Sequence, residues 1–240
     1  MSDALANRML ADGATSLWWM PVGEKWIDLA GSRHADVYNM AGFGQPLFRS
    51  RSAAPMRCDG FSTRADAATD SVFDVTDNWS AEMWFQLESK DQQNLLVHGP
   101  SHTVNGLRIV ARTATSPQID VALHVASTLY RNETPSGSIA AGQIYHLVVT
   151  FDSPTIAIYL NAAAQTLGAS TINTNTMGVL RIGRSDNVDG HAQGWVGPVA
   201  IYQGVTLTAQ QVSQHYRLAG AWVDYAYRVT DQVQAGAMAL

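Results

Sequence analysis

The sequence GQIYHLVVTFDSPTIAIYLN, residues 142–161, decides the fold class of this protein. A break at residues 152–154 divides it into two arms, and on each arm every second residue is large and apolar. Those apolar positions are Leu147, Val149 and Phe151 on the first arm and Ile156, Ile158 and Leu160 on the second. Successive side chains of a strand point to opposite faces, so this pattern predicts a β-hairpin with one face of each arm buried.

Similar short runs recur along the chain, with Gly, Pro, Asn and Asp between them. We predict further strands at residues 16–20, 45–49, 80–88, 94–98, 107–111, 118–126, 179–183 and 195–202. Trp84 interrupts the polar side of residues 80–88, so we expect both faces of that strand to be covered. The pattern lacks helical crossovers between strands, which argues against a parallel sheet. The sequence therefore predicts an all-β protein, an antiparallel β-sandwich of the jelly-roll type.

One short C-terminal helix is predicted after the last strand. Thr208 is a suitable N-cap, Gln211 completes a capping box and Gly220 is placed to end the helix. The apolar face of this helix should lie against the sandwich. It consists of Val212, Tyr216 and Ala219.

Two appendages flank the predicted sandwich. Residues 1–14 form an N-terminal lead, residues 15–219 form the sandwich with its helix, and residues 220–240 form a C-terminal tail. The tail has few charges and carries aromatic residues, and uncovered apolar surface generally marks an interface. We therefore expect it to contact a neighbouring subunit through Trp222, Tyr225 and Tyr227.

Composition limits the classes of function. The net charge is −5 and 15% of the residues are charged, whereas a nucleic-acid partner would need clustered cations. Cys58 is the only cysteine, so an intrachain disulfide is excluded. No run reaches the roughly 18 apolar residues that would cross a bilayer, and the N-terminus lacks the pattern of a secretory signal. We expect a protein made in the cytoplasm, without nucleic-acid or membrane partners.

Several stretches carry a family pattern. They are the opening strand at 16–20 with the turn DLAG at 28–31, then CDGF at 58–61, WSAEMWF at 79–85, AGQIYHLVVT at 141–150, YLN at 159–161, LRIG at 180–183 and GWVGPVAIY at 194–202. In order and spacing they resemble the laminin-G-like, concanavalin-A-like jelly-roll family. The resemblance covers roughly residues 15–218 and implies that family's sandwich fold.

Two segments depart from the family pattern. Asn161 is followed by Ala162 where the family usually has glycine, which predicts a longer turn. The family's closing strand commonly reads I-D-E-V, and its aspartate often helps to bind a structural calcium ion. The matching residues 196–199 read VGPV here.

The resemblance implies a structural calcium ion near the turn carboxylates Asp28 and Asp59. Calcium takes about six to eight oxygen ligands, usually including several carboxylates. The alternative is that both side chains accept backbone hydrogen bonds in tight turns. Because the closing strand lacks the family's carboxylate, the sequence favours this alternative, and no other cofactor is expected.

The most polar loop is a candidate ligand-binding site, since loops carry function on sandwich scaffolds. Its Asp186, Asn187, Asp189 and His191 are candidates for binding a glycan, or a metal ion through the aspartates and the histidine. The alternative is a solvated hairpin loop. The histidines at 98, 102, 124, 146 and 215 lack metal-ligand spacing and are interpreted as surface or satisfied core residues. Most tryptophans are interpreted as packing residues rather than sugar-stacking ones.

Catalytic carboxylates are not evident in the sequence. Glycoside hydrolysis needs an acid and a base or nucleophile close together, and the only glutamates are Glu24, Glu82, Glu88 and Glu133. Glu82 and Glu88 share a strand face but lie about 20 Å apart along it. Nucleophile-elbow and phosphate-binding motifs are missing as well. The sequence therefore predicts a protein that is not an enzyme.

These features favour a structural or adhesion protein of a virion, such as a bacteriophage tail, fibre or capsid-decoration component. A nearly solitary module without an export signal or disulfide suits cytoplasmic assembly and release by lysis, and phage virion proteins often resemble this jelly roll. The expected partners are other virion proteins, copies of this chain and host surface glycans. The alternative is a bacterial carbohydrate-binding module at the cell surface or outside the cell, and a glycoside hydrolase ranks third.

Overall fold

The structure is a computed structural model, and it describes residues 3–39, 42, 53–67, 78–101, 105–125, 128–152, 154–169, 179–184 and 190–219. The strands are β1 (Ser16–Val22), β2 (Lys25–Asp28), β3 (Ala35–Tyr38), β4 (Met56–Asp59), β5 (Arg64–Ala67), β6 (Trp79–Leu87), β7 (Gln93–Ser101), β8 (Asn105–Arg112), β9 (Gln118–Val125), β10 (Thr128–Glu133), β11 (Ile144–Asp152), β12 (Thr155–Leu160), β13 (Ala163–Ala169), β14 (Leu180–Ile182) and β15 (Gln193–Gln203). The helices are α1 (Ala4–Ala11) and α2 (Ala209–Ala219).

The strands form an antiparallel sandwich. Hydrogen-bonded neighbours follow the order β10-β9-β8-β7-β14-β5-β3-β2-β1-β15-β6-β11-β12-β13, and β4 pairs with β15. Residues from both halves of this order, such as Val121 of β9 and Val149 of β11, meet in one buried apolar cluster. The order therefore folds back on itself into a front sheet, from β10 to β3, and a back sheet, from β1 to β13 with β4. Strand β2 pairs with both β3 and β1 and connects the two sheets. This arrangement confirms the predicted all-β sandwich.

The hairpin that decides the fold is present as predicted. Strands β11 and β12 pair from Leu147 opposite Leu160 to Asp152 opposite Thr155.

The next turn contradicts the expectation of a longer connection. Only Asn161 and Ala162 separate β12 from β13, and Leu160 pairs directly with Ala163. Their φ angles are 51° and 66°, as in the tight hairpin turns that favour glycine. Alanine therefore occupies a left-handed position here without lengthening the turn.

Strand β6 is buried on both faces, as the position of Trp84 predicts. Met83 and Phe85 belong to the sandwich core, while Trp84 lies in a second apolar cluster. The second cluster includes Leu5 and Met9 of α1, Trp19 of β1, and Val212 and Ala219 of α2. The two helices thus cover the outer face of the back sheet.

Side-chain caps fix the beginning of each helix. Asp3 accepts hydrogen bonds from the N–H groups of Leu5 and Ala6 at 3.1 and 3.4 Å, ahead of α1. Thr208 and Gln211 form the predicted capping box, with Thr208 N donating to Gln211 Oε1 at 2.9 Å and Gln211 N donating to Thr208 Oγ1 at 3.3 Å. Each cap stabilises its helix by about 1 kcal/mol.

The closing strand β15 carries a bulge at the segment that departs from the family pattern. Its register with β6 shifts between Val196 and Val199. Gly197, inside the bulge, has a φ of 108°, and a Cβ atom there would lie 2.1 Å from Cη2 of Trp26. The glycine therefore leaves room for a core tryptophan.

The tryptophan predictions are confirmed where the structure describes them. Those with at most 2% exposure are Trp18, Trp19, Trp26, Trp79 and Trp84. The predicted strand at 45–49, Gly220 and the tail residues Trp222, Tyr225 and Tyr227 lie outside the described residues, so the subunit contact and the domain limits stay predictions. None of the helices that can be described is long and apolar enough to cross a membrane.

Candidate functional site

The candidate site is built on the turn that follows β4, residues 59–63, which we call the Asp59 turn. Oδ1 of Asp59 accepts hydrogen bonds from the N–H groups of residues 61–63 at 2.8, 2.8 and 3.0 Å, and Oδ2 accepts the Ser62 hydroxyl at 2.8 Å. Burial acts to raise the pKa of Asp59, but these hydrogen bonds outweigh it and hold the pKa below its usual range. The carboxylate stays ionised and fixes the shape of the turn.

Lys90 ties the Asp59 turn to the start of β15. Its Nζ donates to the carbonyl oxygens of Gly60 at 2.7 Å and His191 at 3.0 Å. The N–H of Gly60 in turn donates to the carbonyl of Ala192 at 2.9 Å. Burial lowers the pKa of Lys90, and the charge of Asp59 offsets part of that effect. An ammonium group has three N–H donors, so one donor is left for a ligand.

Phe61, at the tip of the Asp59 turn, is 80% exposed. This is the largest exposure of any large apolar side chain in the described ranges. Lys90 Nζ lies 5.9 Å from the centroid of its ring. Single exposed apolar side chains are common, but this ring stands on a turn that several hydrogen bonds hold rigid. It presents an apolar face beside hydrogen-bonding groups, as ligand sites commonly do.

Of the four candidate ligand-binding residues in the polar loop, the structure describes His191. The residue is 5% exposed, and its Nε2 has no hydrogen-bond partner in the described part of the chain. Burial lowers its pKa, helped by the positive charges of Arg184 and Lys90, so the imidazole is neutral near pH 7. The pairing of β4 with β15 and the Lys90 hydrogen bonds bring His191 next to the Asp59 turn, although the sequence assigned them to separate sites. Asp186, Asn187 and Asp189 lie outside the described residues, and their ligand role stays a prediction.

A row of side chains on β4 and β15 leads away from the Asp59 turn. In the antiparallel pairing of β4 with β15, Asp59 lies opposite Gln193 and Arg57 lies opposite Trp195. Glu88 joins the two pairs, because its Oε2 accepts from Gln193 Nε2 at 2.7 Å and its Oε1 accepts from Arg57 Nη2. The Arg57 guanidinium lies 5.3 Å from the centroid of the Trp195 ring. A depression of about 290 Å³ opens beside these side chains.

Two larger depressions, of about 520 and 410 Å³, are lined by residues of the front sheet. The first is lined by polar and charged side chains, including Arg112 and Arg131, which both pair with Asp120. The second includes Tyr38, whose ring is covered by the Arg64 guanidinium at 4.2 Å. Neither presents an aromatic face as open as Phe61, so we place the candidate site at the Asp59 turn.

Asp28, the other predicted calcium ligand, also accepts hydrogen bonds from nearby backbone N–H groups. Its Oδ1 accepts from the N–H groups of Leu17 at 2.7 Å and Ala30 at 2.9 Å, and its Oδ2 accepts from Arg33 N at 3.2 Å. Both aspartates thus accept backbone hydrogen bonds in tight turns, which the sequence analysis gave as the alternative to calcium binding. Within the described ranges, no group of three or more His, Cys, Asp and Glu side chains is arranged to hold a metal ion. A calcium ion would have to displace these N–H groups, and calcium binding stays a prediction.

A separate group of titratable side chains is sealed beneath the helices. Glu82 lies 2.7 Å from His146 Nε2 and 3.0 Å from His215 Nδ1, and it accepts the Tyr202 hydroxyl at 2.6 Å. Asp12 lies 2.8 Å from the other ring nitrogen of His215. The histidines and Glu82 are at most 1% exposed. This buried cluster cannot meet a ligand in solution; it fastens the helices to the back sheet.

Sequence reasoning missed Phe61 and Lys90 as site residues. For Phe61 a signal existed, since an aromatic residue between glycine and serine in a tight turn has little chance of burial. Lys90 gave none, because its partners lie 30 and 101 residues away. The buried cluster also joins distant positions, because His146 and His215 lie 64 and 133 positions after Glu82 in the sequence.

Two antiparallel sheets around one apolar core, with a helix after the closing strand, define a jelly-roll β-sandwich protein. The chain belongs to the concanavalin A-like lectin/glucanases superfamily, whose family model matches residues 59–213. The family resemblance seen in the sequence is therefore confirmed. No curated protein matches the chain as a relative.

Solved structures share this fold. Domain 4 of AbnA, a GH43 extracellular arabinanase from Geobacillus stearothermophilus in complex with arabinotriose, gives a TM-score of 0.70 at 15% identity, covering 85% of this chain and 98% of that one. The botulinum neurotoxin serotype D ligand-binding domain, in complex with N-acetylneuraminic acid, gives 0.67 at 11% identity, covering 88% and 52%. The type G receptor-binding domain gives 0.64 at 13% identity, covering 86% and 51%. This chain thus spans about half the length of the neurotoxin domains. At such identities the likeness concerns the fold alone.

Proposed function

We propose that this chain is a non-enzymatic glycan-binding module whose site is the Asp59 turn with Lys90 and His191. The observation that carries the proposal is the exposure of Phe61, 80%, on a turn that Asp59 and Lys90 hold in shape. A sugar ring has an apolar face of C–H groups and a rim of hydroxyls. An open aromatic ring beside hydrogen-bonding groups matches both parts of such a ligand.

Each group of the site has a role in this proposal. The Phe61 ring stacks on the sugar, and the third N–H of Lys90 donates to a hydroxyl or ring oxygen. The carbonyls of Gly60 and His191 keep the Lys90 ammonium in place at 2.7 and 3.0 Å. Because the turn is ordered before the ligand arrives, binding costs little conformational entropy.

The structural neighbours support a saccharide as the ligand class. The AbnA domain was solved with arabinotriose and the serotype D domain with N-acetylneuraminic acid. These complexes concern those proteins, and the position of the site on this chain rests on Phe61 and its surroundings.

We expect no catalysis at this site. Glycoside hydrolysis needs two available carboxyl groups roughly 5 to 10 Å apart. Near Phe61, Asp59 is held by four hydrogen bonds within its turn, and Glu88 is bonded to Arg57 and Gln193. We expect no release of reducing sugar from any glycan that the protein binds; measurable hydrolysis that is lost in Glu88→Gln would overturn this part of the proposal.

A glycan-array screen of the full-length protein tests binding. We expect the wild type to bind a subset of glycans and Phe61→Ala to weaken that binding by about tenfold or more. The matched control is Leu129→Ala, which removes an apolar side chain that is 49% exposed on β10. An array without any bound glycan, or equal binding by Phe61→Ala, would contradict the proposal.

A virion role is the second candidate, and the C-terminal tail favours it. Residues 220–240 have few charges and contain three aromatic residues, Trp222, Tyr225 and Tyr227, which suits contact with a neighbouring subunit. The chain would then coat or extend a particle, and glycan binding would attach that particle to a host surface. Light scattering of the full-length protein tests this. We expect the wild type to be an oligomer that dissociates when all three aromatic residues are changed to serine. A monomeric wild type would contradict the virion role.

A further inference from the structure

We propose that the depression beside Trp195 is a second sugar subsite, so that the ligand is an oligosaccharide chain with an uncharged sugar at this position. We call this place the Trp195 subsite and define it by Arg57, Gln86, Glu88 and Trp195, which line the depression. The inference rests on the proposed function at Phe61. It adds the length of the ligand and the chemical class of one of its units.

Contacts join the Asp59 turn to the Trp195 subsite without a break. A Cβ atom on Gly60 would lie 3.2 Å from Cβ and Oε1 of Gln193, so the Gln193 side chain packs against the turn. Gln193 then bonds to Glu88 at 2.7 Å, and Glu88 bonds to Arg57. Residues 191 and 195 lie about 13 Å apart along an extended strand. A ligand that touches both ends therefore has more than one sugar ring.

Polar atoms in the subsite are left for a ligand. Arg57 has five N–H donors, and one of them is used on Glu88. Its other donors have no hydrogen-bond partner in the part of the chain that the structure describes. Gln86 Nε2 donates to the carbonyl of Gly142 at 2.8 Å, which leaves Gln86 Oε1 as an acceptor. A sugar hydroxyl both donates and accepts, so neighbouring hydroxyls can use Arg57 and Gln86 together.

The charges of the subsite cancel. Arg57 and Glu88 form an ion pair with side chains that are 29% and 47% exposed, and Gln86 and Trp195 carry no charge. A carboxylate or sulfate on the ligand would have to compete with Glu88 for Arg57 and would meet the Glu88 charge. An uncharged sugar can bind the free Arg57 donors while the ion pair stays intact, and this assigns a neutral sugar to the subsite.

Calorimetric titration with neutral oligosaccharides tests the inference. The probes are monomers, trimers and hexamers of the arabino-, xylo-, gluco- and galacto-series, added to the full-length protein. In at least one series we expect the trimer to bind about tenfold more tightly than the monomer. Arg57→Ala should remove this gain, so that trimer and monomer bind about equally tightly. The matched control is Lys25→Ala, which removes the cation of an exposed ion pair with Asp36 on the front sheet.

The outcomes separate the subsite from the proposed function. If Phe61→Ala abolishes binding while Arg57→Ala keeps the gain from monomer to trimer, the Trp195 subsite is wrong and glycan binding at Phe61 stands. If Phe61→Ala binds every probe as the wild type does, or the wild type binds none, both fail. Tighter binding of a uronic-acid trimer than of the neutral trimer contradicts the neutral assignment. Should Arg57→Ala lower the melting temperature, Gln86→Ala gives the same comparison, because it removes the acceptor Oε1 from the subsite, and a severalfold loss of trimer binding is expected.

Discussion

Glu82 and His215 form an ion pair in the apolar cluster between the back sheet and the helices, with His215 Nδ1 3.0 Å from Glu82 Oε2 and both side chains fully buried. The pair connects β6 to α2. Asp12, at the end of α1, extends it, because its Oδ2 lies 2.8 Å from His215 Nε2 and its carboxylate also accepts from Arg8. One chain of polar contacts therefore runs from α1 through α2 to the back sheet.

Removing the charge of Glu82 should strongly destabilise the protein. Glu82→Gln keeps the size of the side chain but removes the fully buried counterion of His215 and leaves Asp12 as its remaining carboxylate partner. Breaking a buried ion pair in this way costs about 3 to 5 kcal/mol. Urea denaturation measures the free energy of unfolding. The control is Glu24→Gln at an exposed position, where a change within about 0.5 kcal/mol is expected. Equal losses for the two variants would show that the pair does not stabilise the fold.

The same pair predicts lower stability at both acid and alkaline pH. Burial acts to raise the pKa of Glu82, but the charge of His215 and the hydrogen bond from His146 hold it below the ordinary 4.5. Its contribution is therefore present above pH 4.5 and lost as the pH falls through the lowered pKa. Burial acts to lower the pKa of His215, but Glu82 and Asp12 raise it above the ordinary 6.5. Its contribution is complete below pH 6.5 and lost as the pH rises through the raised pKa.

Melting temperature as a function of pH checks this profile. We expect a maximum between the two ordinary values. His215→Gln should flatten the alkaline side and weaken the Glu82 part of the acid side, while Asp59, whose pKa its own turn lowers, keeps an acid slope. A wild-type profile that keeps rising above pH 6.5 until well into the alkaline range would contradict the assignment of a raised pKa to His215.

Ala162 occupies a left-handed backbone position, with a φ of 66°, that costs an L-residue other than glycine roughly 1 kcal/mol. Ala162→Gly should therefore stabilise the protein by about that amount. Ala164→Gly, two residues further on in β13, is the matched control and should destabilise it, because glycine weakens a strand without relieving any strain. Thermal unfolding compares the two variants, and a loss of stability in both contradicts the strain at Ala162.

Gly197 is needed for the close approach of Trp26. Gly197→Ala places a Cβ atom 2.1 Å from the indole ring, so the core must shift, and we expect a loss of about 3 kcal/mol or more. Gly204→Ala is the control, since Gly204 also has a positive φ, 74°, but nothing lies within 4 Å of a Cβ there. It should cost only about 1 kcal/mol. Similar losses for both would mean that the backbone angle, and not the tryptophan, requires the glycine.

The fold could be read from the sequence because strand patterns are local. The alternation in residues 142–161 predicts the β11–β12 hairpin, and Trp84 on the polar side of its strand predicts the second covered face. The capping box at Thr208 and Gln211 was equally local. The turn at Ala162 was misread, because tertiary pairing of β12 with β13 imposes a backbone angle that alanine does not favour.

The candidate site depended on contacts that no local pattern encodes. The Asp59 turn was recognised as a turn, and its carboxylate does bond to the backbone N–H groups that follow it. Its meeting with His191 depends on the pairing of β4 with β15 and on Lys90, which reaches residues 30 and 101 positions away. Whether an aspartate binds a metal ion or accepts hydrogen bonds within its turn likewise depends on which N–H groups surround its carboxylate. Only the three-dimensional structure shows these groups.

Mapping of amide chemical shifts tests the central claim most directly. The full-length, isotope-labelled protein is titrated with a glycan that the array identifies. The account predicts that the largest shifts fall on residues 59–63, Lys90 and residues 191–193, and that a longer chain extends them to Trp195. Shifts concentrated on the front sheet around Arg112 and Arg131, with the Asp59 turn unmoved, would contradict it.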